Sequence, residues 1–311
     1  MRVFVTGATG FVGSAVVRDL LEAGYEVTGL ARTAGAARAV AAACARVHHG
    51  SLDDPERLRA GAAAADGVIH TGYIHDFSPA GDPVAAAATD GRAIEALGAA
   101  LAGSGRPLVV ASSLGLGAAG QVVTEDEEAV SQVHPRLSEQ AALPLADRAV
   151  RVSVVRLPPS VHDEGDHALV PALIATARST GRSAYVGDGW NRWAAVHRID
   201  AAHLFRLALE QAAAGTRLHA IGHEAVPFRD IAELIGRQLD VPVTPIPADE
   251  APGQFGAFAN FASADMPASA TLTRQRLGWQ PAQPGLIADL DQRHYFSSSR
   301  ALGRLIAGAR R

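Results

Sequence analysis

A phenol and an imidazole, Tyr73 and His75, stand two residues apart just after the apolar run Val68-Ile69-His70 and the step Thr71-Gly72. Either can hand a proton to a developing alkoxide, and imidazole does so from a near-neutral pKa. Asp76, next in line, is either a helix cap or a partner that sets the imidazole tautomer. Ser113, second of the pair Ser112-Ser113 that closes another apolar run, offers a hydroxyl. The 28 basic residues are all arginine. The absence of lysine limits the chemistry open to the chain.

These groups need a reactant beside them, and the N-terminus points to one. An apolar strand runs into Thr6-Gly7-Ala8-Thr9-Gly10-Phe11-Val12-Gly13 and then into an amphipathic helix pattern. Gly7 permits the tight turn off the strand, Gly10 lets the backbone approach a pyrophosphate, and Gly13 lets the helix pack closely on the sheet. Thr9, Phe11 and Val12 complete the turn, and the helix N-terminus faces the phosphates with free N–H groups and a positive dipole end. This arrangement holds a dinucleotide. At the end of the second strand stands Leu30-Ala31-Arg32-Thr33, where an acidic residue would bind the ribose hydroxyls of NAD. Arg32 suits a 2′-phosphate and adenine stacking, and Thr33 adds a hydroxyl, so NADPH is expected over NADH. The alternative is a solvated arginine at a helix start.

Apolar strands alternate with helical patterns, which predicts an α/β, Rossmann-type doubly wound parallel sheet. Strands are expected near Arg2 to Thr6, Glu26 to Ala31, Arg46 to His48, Gly67 to His70, Pro107 to Ala111 and Arg151 to Leu157, making a six-stranded core. Helices are expected near Gly13 to Ala23, Ala34 to Ala43, Pro55 to Ala62, Pro83 to Ala102 and Ser138 to Ala149. Past about Pro158 the alternation lapses. Residues 1–160 read as a dinucleotide-binding domain, and 161–311 as mainly a smaller substrate-binding lobe, partly interleaved with the sheet. Within that lobe, helices are expected near His167 to Thr180, Asp200 to Ala213 and Phe228 to Leu239. Short strands are expected near Ser183 to Val186, Trp193 to His197 and Arg217 to Ile221, and Pro242 to Pro252, with four prolines, reads as a connector.

Bulk properties bound the partners. With 311 residues, 48% of them hydrophobic, the chain can bury a substantial core. The formal charge of -4 and the lack of a basic run argue against nucleic acid or an anionic membrane as main partner. Cys44 is the sole cysteine, so no intrachain disulfide is possible, and it reads as a helix or core residue. No signal peptide or long apolar span is visible, and a cytoplasmic location is expected.

Taken together, these motifs resemble the extended and atypical short-chain dehydrogenases/reductases, and most closely an epimerase/dehydratase-like atypical subgroup. The resemblance rests on the glycine turn, Gly50-Ser51-Leu52-Asp53-Asp54, Val68-Ile69-His70-Thr71-Gly72, Ser112-Ser113 and Val155-Arg156-Leu157-Pro158. It also rests on Ile74-His75-Asp76-Phe77, Tyr185-Val186-Gly187-Asp188-Gly189-Trp190-Asn191-Arg192-Trp193 and Val196-His197-Arg198-Ile199-Asp200. It implies that Ser51 and Leu52 contact the adenine, that Thr71, Gly72, Ser112, Leu157 and Pro158 line the cofactor, and that Ser113 hydrogen-bonds the substrate oxygen. The helix over Pro83 to Ala102 implies a homodimer.

The family's usual Tyr-x-x-x-Lys pair is missing: Pro135 to Glu139 occupies roughly its place. Of the four tyrosines, Tyr73 and Tyr185 remain as phenolic acids. His70 reads as a core histidine, and His162 and His167, with Asp163, Glu164 and Asp166, as a loop bordering the substrate rather than a metal site. Arg192 fits either a phosphate or an ion pair bridging the lobes. His197 and Asp200 fix the lobe junction and cap the next helix, and Trp190 and Trp193 are either core or an apolar wall over the ligand. A loop between Gly115 and Gln132 reads as one that closes over the site. The favoured function is an NADPH-dependent reductase of a small carbonyl or imine substrate. A sugar-nucleotide epimerase or dehydratase and a non-catalytic NADP-binding sensor are the alternatives.

Overall fold

The computed structural model describes residues 1–75, 81–117, 120–128 and 136–297. Asp76, Phe77, Pro135 and parts of the Gly115 to Gln132 loop lie outside the described residues.

Six strands expected from the apolar runs are present: β1 (Arg2–Thr6), β2 (Glu26–Ala31), β3 (Arg46–His49), β4 (Gly67–His70), β5 (Pro107–Ser113) and β6 (Arg151–Leu157). They are joined by α1 (Phe11–Glu22), α2 (Ala34–Ala42), α3 (Pro55–Ala63), α4 (Pro83–Leu101) and α5 (Ser138–Ala142). After β7 (Ser160–His162) come α6 (Leu169–Thr180), β8 (Ser183–Val186), β9 (Arg192–His197), α7 (Arg198–Gln211), β10 (Thr216–His219), β11 (His223–Pro227), α8 (Phe228–Leu239) and β12 (Val243–Ile246). Short helical turns occupy most of the remainder to Phe296.

The main sheet is parallel and runs β10-β6-β5-β4-β1-β2-β3. It therefore has seven strands where six were expected. The seventh, β10, comes from beyond residue 160 and pairs with β6 through Thr216 and Ser153 to His219 and Arg156. Both faces are covered, α1 packing with α7 and α3 with α4, so the central strands read as unbroken apolar runs. The order of strand addition reverses at β1, which pairs β2 on one side and β4 on the other, all parallel. Their carboxyl ends open the crevice in which such sheets bind ligands.

Local chemistry sets the helix limits. Asp82 caps α4 by accepting from the amides of Val84 and Ala85, with Pro83 in the first turn. The alanines Ala86, Ala87, Ala93 and Ala96 of α4 are buried within the chain. The helix expected to run from Ser138 to Ala149 stops at Ala142, and a 3₁₀ turn over Leu143–Arg148 follows. Pro144 lacks the N–H an α-helix needs and its ring crowds the preceding turn. The proline-rich connector holds β12, which pairs only with β8, an edge position where Pro245 costs no ladder bond. A second core fills the smaller lobe, where Trp193 packs against Phe228 and Tyr185 is buried.

Candidate active site

The turn between β1 and α1 is built by its glycines. Gly7 has φ +68, and a Cβ on it would lie 2.7 Å from the Gly72 nitrogen. One on Gly13 would sit 2.0 Å from the Gly7 carbonyl oxygen. Gly10 donates its N–H to that same oxygen at 2.8 Å. No side chain caps α1 at Gly10, so the amides of Phe11, Val12 and Gly13 open its first turn toward the crevice. Thr9 is exposed beside them. The Thr71 hydroxyl donates to the Thr6 carbonyl at 2.8 Å, fastening the end of β4 to the turn. A backbone cradle with free N–H groups at a helix start fits a pyrophosphate.

Arg32 and Thr33 follow β2 and are exposed. The Thr33 oxygen accepts from the Ala36 amide at 3.1 Å, capping α2 and leaving its proton to donate elsewhere. Arg38, one helical turn further on, was not singled out from the sequence. Its Nη2 and the Thr33 Oγ1 lie 4.0 and 3.8 Å from where a side chain on Gly35 would begin. It is the one charged residue in Ala34–Ala42, which was the available signal. Across the crevice Leu52 approaches Gly72, a Cβ there lying 3.0 Å from Leu52 Cδ2. Ser51 donates to Asp53, and that bond with Asp53's own amide holds the carboxyl below its usual range, with Arg32 and Arg92 adding positive potential.

Behind the turn runs a buried polar chain. The Gly72 amide donates to Thr6 Oγ1 at 3.3 Å, and Thr6 Oγ1 lies 2.7 Å from His70 Nδ1. His70 Nε2 lies 3.0 Å from Asp90 Oδ1, and Ser138 donates to Asp90 Oδ2 at 2.5 Å. Arg136 Nε donates to Ser138 Oγ at 2.7 Å and its Nη2 to the Ala111 carbonyl at 2.8 Å. The bonds are satisfied around an ionised Asp90 that accepts from His70 Nε2 and from Ser138, with Ser138 accepting in turn from Arg136. Burial opposes that ionisation, but the bonds and charges of His70, Arg136 and Ser138 together carry the Asp90 carboxyl below its usual range. His70 is thus the satisfied core histidine expected, and its partners are the part the sequence did not disclose.

The chain ends at the proton-bearing loop. The Arg136 guanidinium carbon lies 4.3 Å from the centre of the Tyr73 ring, and the His75 ring lies 4.9 Å beyond on the same tyrosine. His70 pairs with Val110, and three residues further along each strand stand Tyr73 and Ser113, leaving the sheet at similar height. Ser113 in turn pairs with Leu157, and Pro158 follows, buried. Ser112 is buried, Ser113 and Tyr73 are half-buried, and His75 is exposed. Burial pushes the Tyr73 phenol above its ordinary value, Arg136 pulls it down and Asp90 pushes it up.

Other expected site residues fall elsewhere. Tyr185 belongs to the smaller lobe's core, with Arg229 over its ring, and is no phenolic acid for this crevice. Glu139, in the stretch that takes roughly the place of the missing pair, is buried and held by Arg156 at 2.7 Å and Arg217 at 2.7 Å. Burial pushes its carboxyl up, but the two arginines outweigh that and lower it. Arg192 pairs with Asp265 at 2.7 Å, the ion-pair alternative. Trp193 is core and Trp190 is 58% exposed, so the two form no wall. His197 caps α7 by accepting from the Ile199 amide, whereas Asp200 does not cap it: its oxygens hold the amides of Ala282 and Gln283. Cys44 is an exposed turn residue at φ +63 rather than helix or core, because it follows the last turn of α2.

The loop after β7 meets the glycine turn. Arg198 lies over the Phe11 ring at 4.6 Å, and His167 meets the same ring edge-on at 5.8 Å. Asp163, His197 and Asp289 place donor atoms within 4.8 Å of one another. Protein groups already engage two of them: Arg198 pairs with Asp163 and His162 with Asp289, each at 2.8 Å. Burial pushes the nearby Asp166 carboxyl up to about 6.

Comparisons with known proteins agree with this architecture. The model of the NAD dependent epimerase/dehydratase family matches residues 3–222. An uncharacterized protein of Schizosaccharomyces pombe is 47% identical over 298 residues, covering 95% of this chain and 100% of its own. A 2-alkyl-3-oxoalkanoate reductase of Stenotrophomonas maltophilia is 28% identical, with 78% of this chain and 77% of the relative covered. Among solved structures, the dTDP-glucose 4,6-dehydratase of Streptomyces venezuelae with NAD bound superposes with a TM-score of 0.76 at 22% identity. That match covers 95% of this chain and 97% of the other, and shows a shared fold. Among the described residues no helix is long and apolar enough to cross a membrane.

Proposed function

The chain belongs to the NAD dependent epimerase/dehydratase family, and we propose that within it this protein is an NADPH-dependent reductase of a small carbonyl or imine compound. The observation that carries this reading is the convergence of Tyr73, His75 and Ser113 at the carboxyl ends of β4 and β5, beside the glycine turn. A bound nicotinamide supplies the hydride. The protein's own part is to orient the substrate and provide one proton. Ser113 donates a hydrogen bond to the substrate oxygen or nitrogen, and the Tyr73–His75 loop supplies the proton that completes the alcohol or amine. The Stenotrophomonas relative, by its name a reductase of an oxo compound, supports the reaction class.

The preference for NADPH rests on the end of β2. No carboxylate stands at positions 31–33, while Arg32, Thr33 and Arg38 offer two guanidinium groups and a hydroxyl to a 2′-phosphate. An epimerase or dehydratase acting on a sugar nucleotide needs a strong base held beside the ring, and the Tyr-x-x-x-Lys pair that supplies one in relatives is absent.

The test follows NADPH absorbance with purified protein and a panel of ketones, aldehydes and imines. Oxidation of NADPH by at least one carbonyl or imine, reduced about 10²-fold or more in Ser113→Ala, is the expected result. Tight nucleotide binding with no turnover of any compound replaces the reductase reading with a sensor. Interconversion of sugar nucleotides without net cofactor consumption replaces it with an epimerase.

A further inference from the structure

The reading above leaves the charge balance of the proton donor unexplained, because a phenol that gives up its proton in a half-buried site leaves an anion there. The group nearest Tyr73 that can answer that charge is Arg136. Its guanidinium sits 4.3 Å from the ring centre and is clamped at two nitrogens, Nε on Ser138 and Nη2 on the Ala111 carbonyl. Among the described residues its Nη1 makes no hydrogen bond. Asp90, which fixes Ser138, is itself fixed by His70, so the cation cannot swing away without breaking a buried chain.

We propose that Arg136 is a positioning residue for proton transfer: it holds a permanent positive charge against Tyr73 and so balances the phenolate that forms when Tyr73 protonates the product. This inference rests on the reductase reading for the identity of the product. In the step, the carbonyl or imine carbon accepts the hydride to form a C–H bond and its π pair moves onto oxygen or nitrogen, while the O–H bond of Tyr73 breaks and its proton forms an O–H or N–H bond on that atom. Water then returns a proton to Tyr73, with the exposed His75 at its side. The charged or titrating groups facing Tyr73 are Arg136 from the segment before α5, Asp90 from α4 and His75 from its own loop. Asp90 alone would raise the cost of an anion there. Arg136 is the cation placed over the ring, and its charge pulls the phenol down.

The experiment reads the phenol directly and needs no substrate. Protein labelled with fluorotyrosine shows four tyrosine environments by fluorine NMR, and Tyr73→Phe identifies the Tyr73 signal. Arg136→Gln should move the Tyr73 midpoint upward by about one pH unit or more, a tenfold change in proton affinity, and Arg136→Lys should recover most of it. Tyr25, Tyr185 and Tyr295 should not move. An unchanged Tyr73 midpoint in Arg136→Gln, or an equal shift of all four signals, overturns the proposal. If the midpoint moves as expected but no carbonyl or imine is reduced, the tuning by Arg136 stands and the reductase reading falls. If NADPH turnover is found, its pH profile should shift with the Tyr73 midpoint while NADPH affinity holds. A profile that stays put in Arg136→Gln overturns the role in proton transfer.

Discussion

Replacing Arg32 and Arg38 by alanine, singly and together, should separate the two pyridine nucleotides. Thr33 Oγ1 and Arg38 Nη2 both approach Gly35, and Arg32 precedes Thr33 at the end of β2, where a ribose 2′-phosphate reaches in this fold. A charge-assisted hydrogen bond contributes about 1.5–3 kcal/mol, whereas an exposed ion pair contributes at most about 1 kcal/mol. Arg32 is exposed, so a value between these limits, about 1.4 kcal/mol, applies to each arginine and corresponds to about tenfold in the dissociation constant. Calorimetry should then find NADPH weakened about tenfold by Arg32→Ala or Arg38→Ala and about a hundredfold by the pair. NADH, lacking the phosphate, should stay within about twofold, and raising the salt should narrow the gap between the nucleotides. Equal weakening of both nucleotides would mean that the arginines shape the pocket generally. No weakening of either in the double variant would refute the reasoning outright.

Three further outcomes test other parts of the structure. Gly13→Ala places a Cβ 2.0 Å from the Gly7 carbonyl and should abolish measurable binding of either nucleotide while lowering the melting temperature; retained affinity would show that the turn does not hold the pyrophosphate. Asp90→Ala leaves the buried His70 Nε2 and Ser138 hydroxyl without their acceptor and should cost about 1–3 kcal/mol for each in denaturant melts, and a total loss under about 1 kcal/mol would show that the buried polar chain does not hold the fold. Burial lowers the His219 imidazole from 6.5 to about 4, so folding favours its neutral form. The associated stability is complete above the unfolded value and lost as pH falls from about 6.5 through about 4, about 3 kcal/mol in all. Urea melts at intervals across that window should show this loss in the natural chain and not in His219→Gln; parallel curves would remove His219 as the cause.

The strands were legible wherever burial on both faces leaves a run of apolar residues, as in Val3-Phe4-Val5 or Leu108-Val109-Val110. Punctuation by Pro83 and Gly7 marked a helix start and a turn for the same reason, since those residues act locally. What stayed hidden acts across the sequence. Asp90 meets His70 from 20 residues away and Ser138 from 48, and Arg136 meets Ala111 from 25. No spacing rule links such positions; only the crossover of α4 and the return of α5 bring them together. The seventh strand, Thr216–His219, was visible as a short run, but its place beside β6 depended on the path of α7. Tyr185 and Trp193 looked alike in sequence to ligand-facing aromatics, and the smaller lobe's core claimed both. Arg38 was readable, a lone charge in an alanine helix, yet its approach to the turn that Thr33 caps depended on where α2 began.

The buried link between Asp90 and its neighbours also bears on how α4 is seated. Five of the nine buried residues of α4 are alanine or glycine, and such small side chains leave fewer protrusions to stop the helix turning about its axis or sliding along the sheet. Asp90 works as a key in that shaft: its two oxygens engage β4 through His70 and α5 through Ser138, so that only one rotation and one depth satisfy both. Directional bonding thereby supplies the uniqueness of fit that small side chains leave unspecified, and it does so directly behind the loop carrying Tyr73.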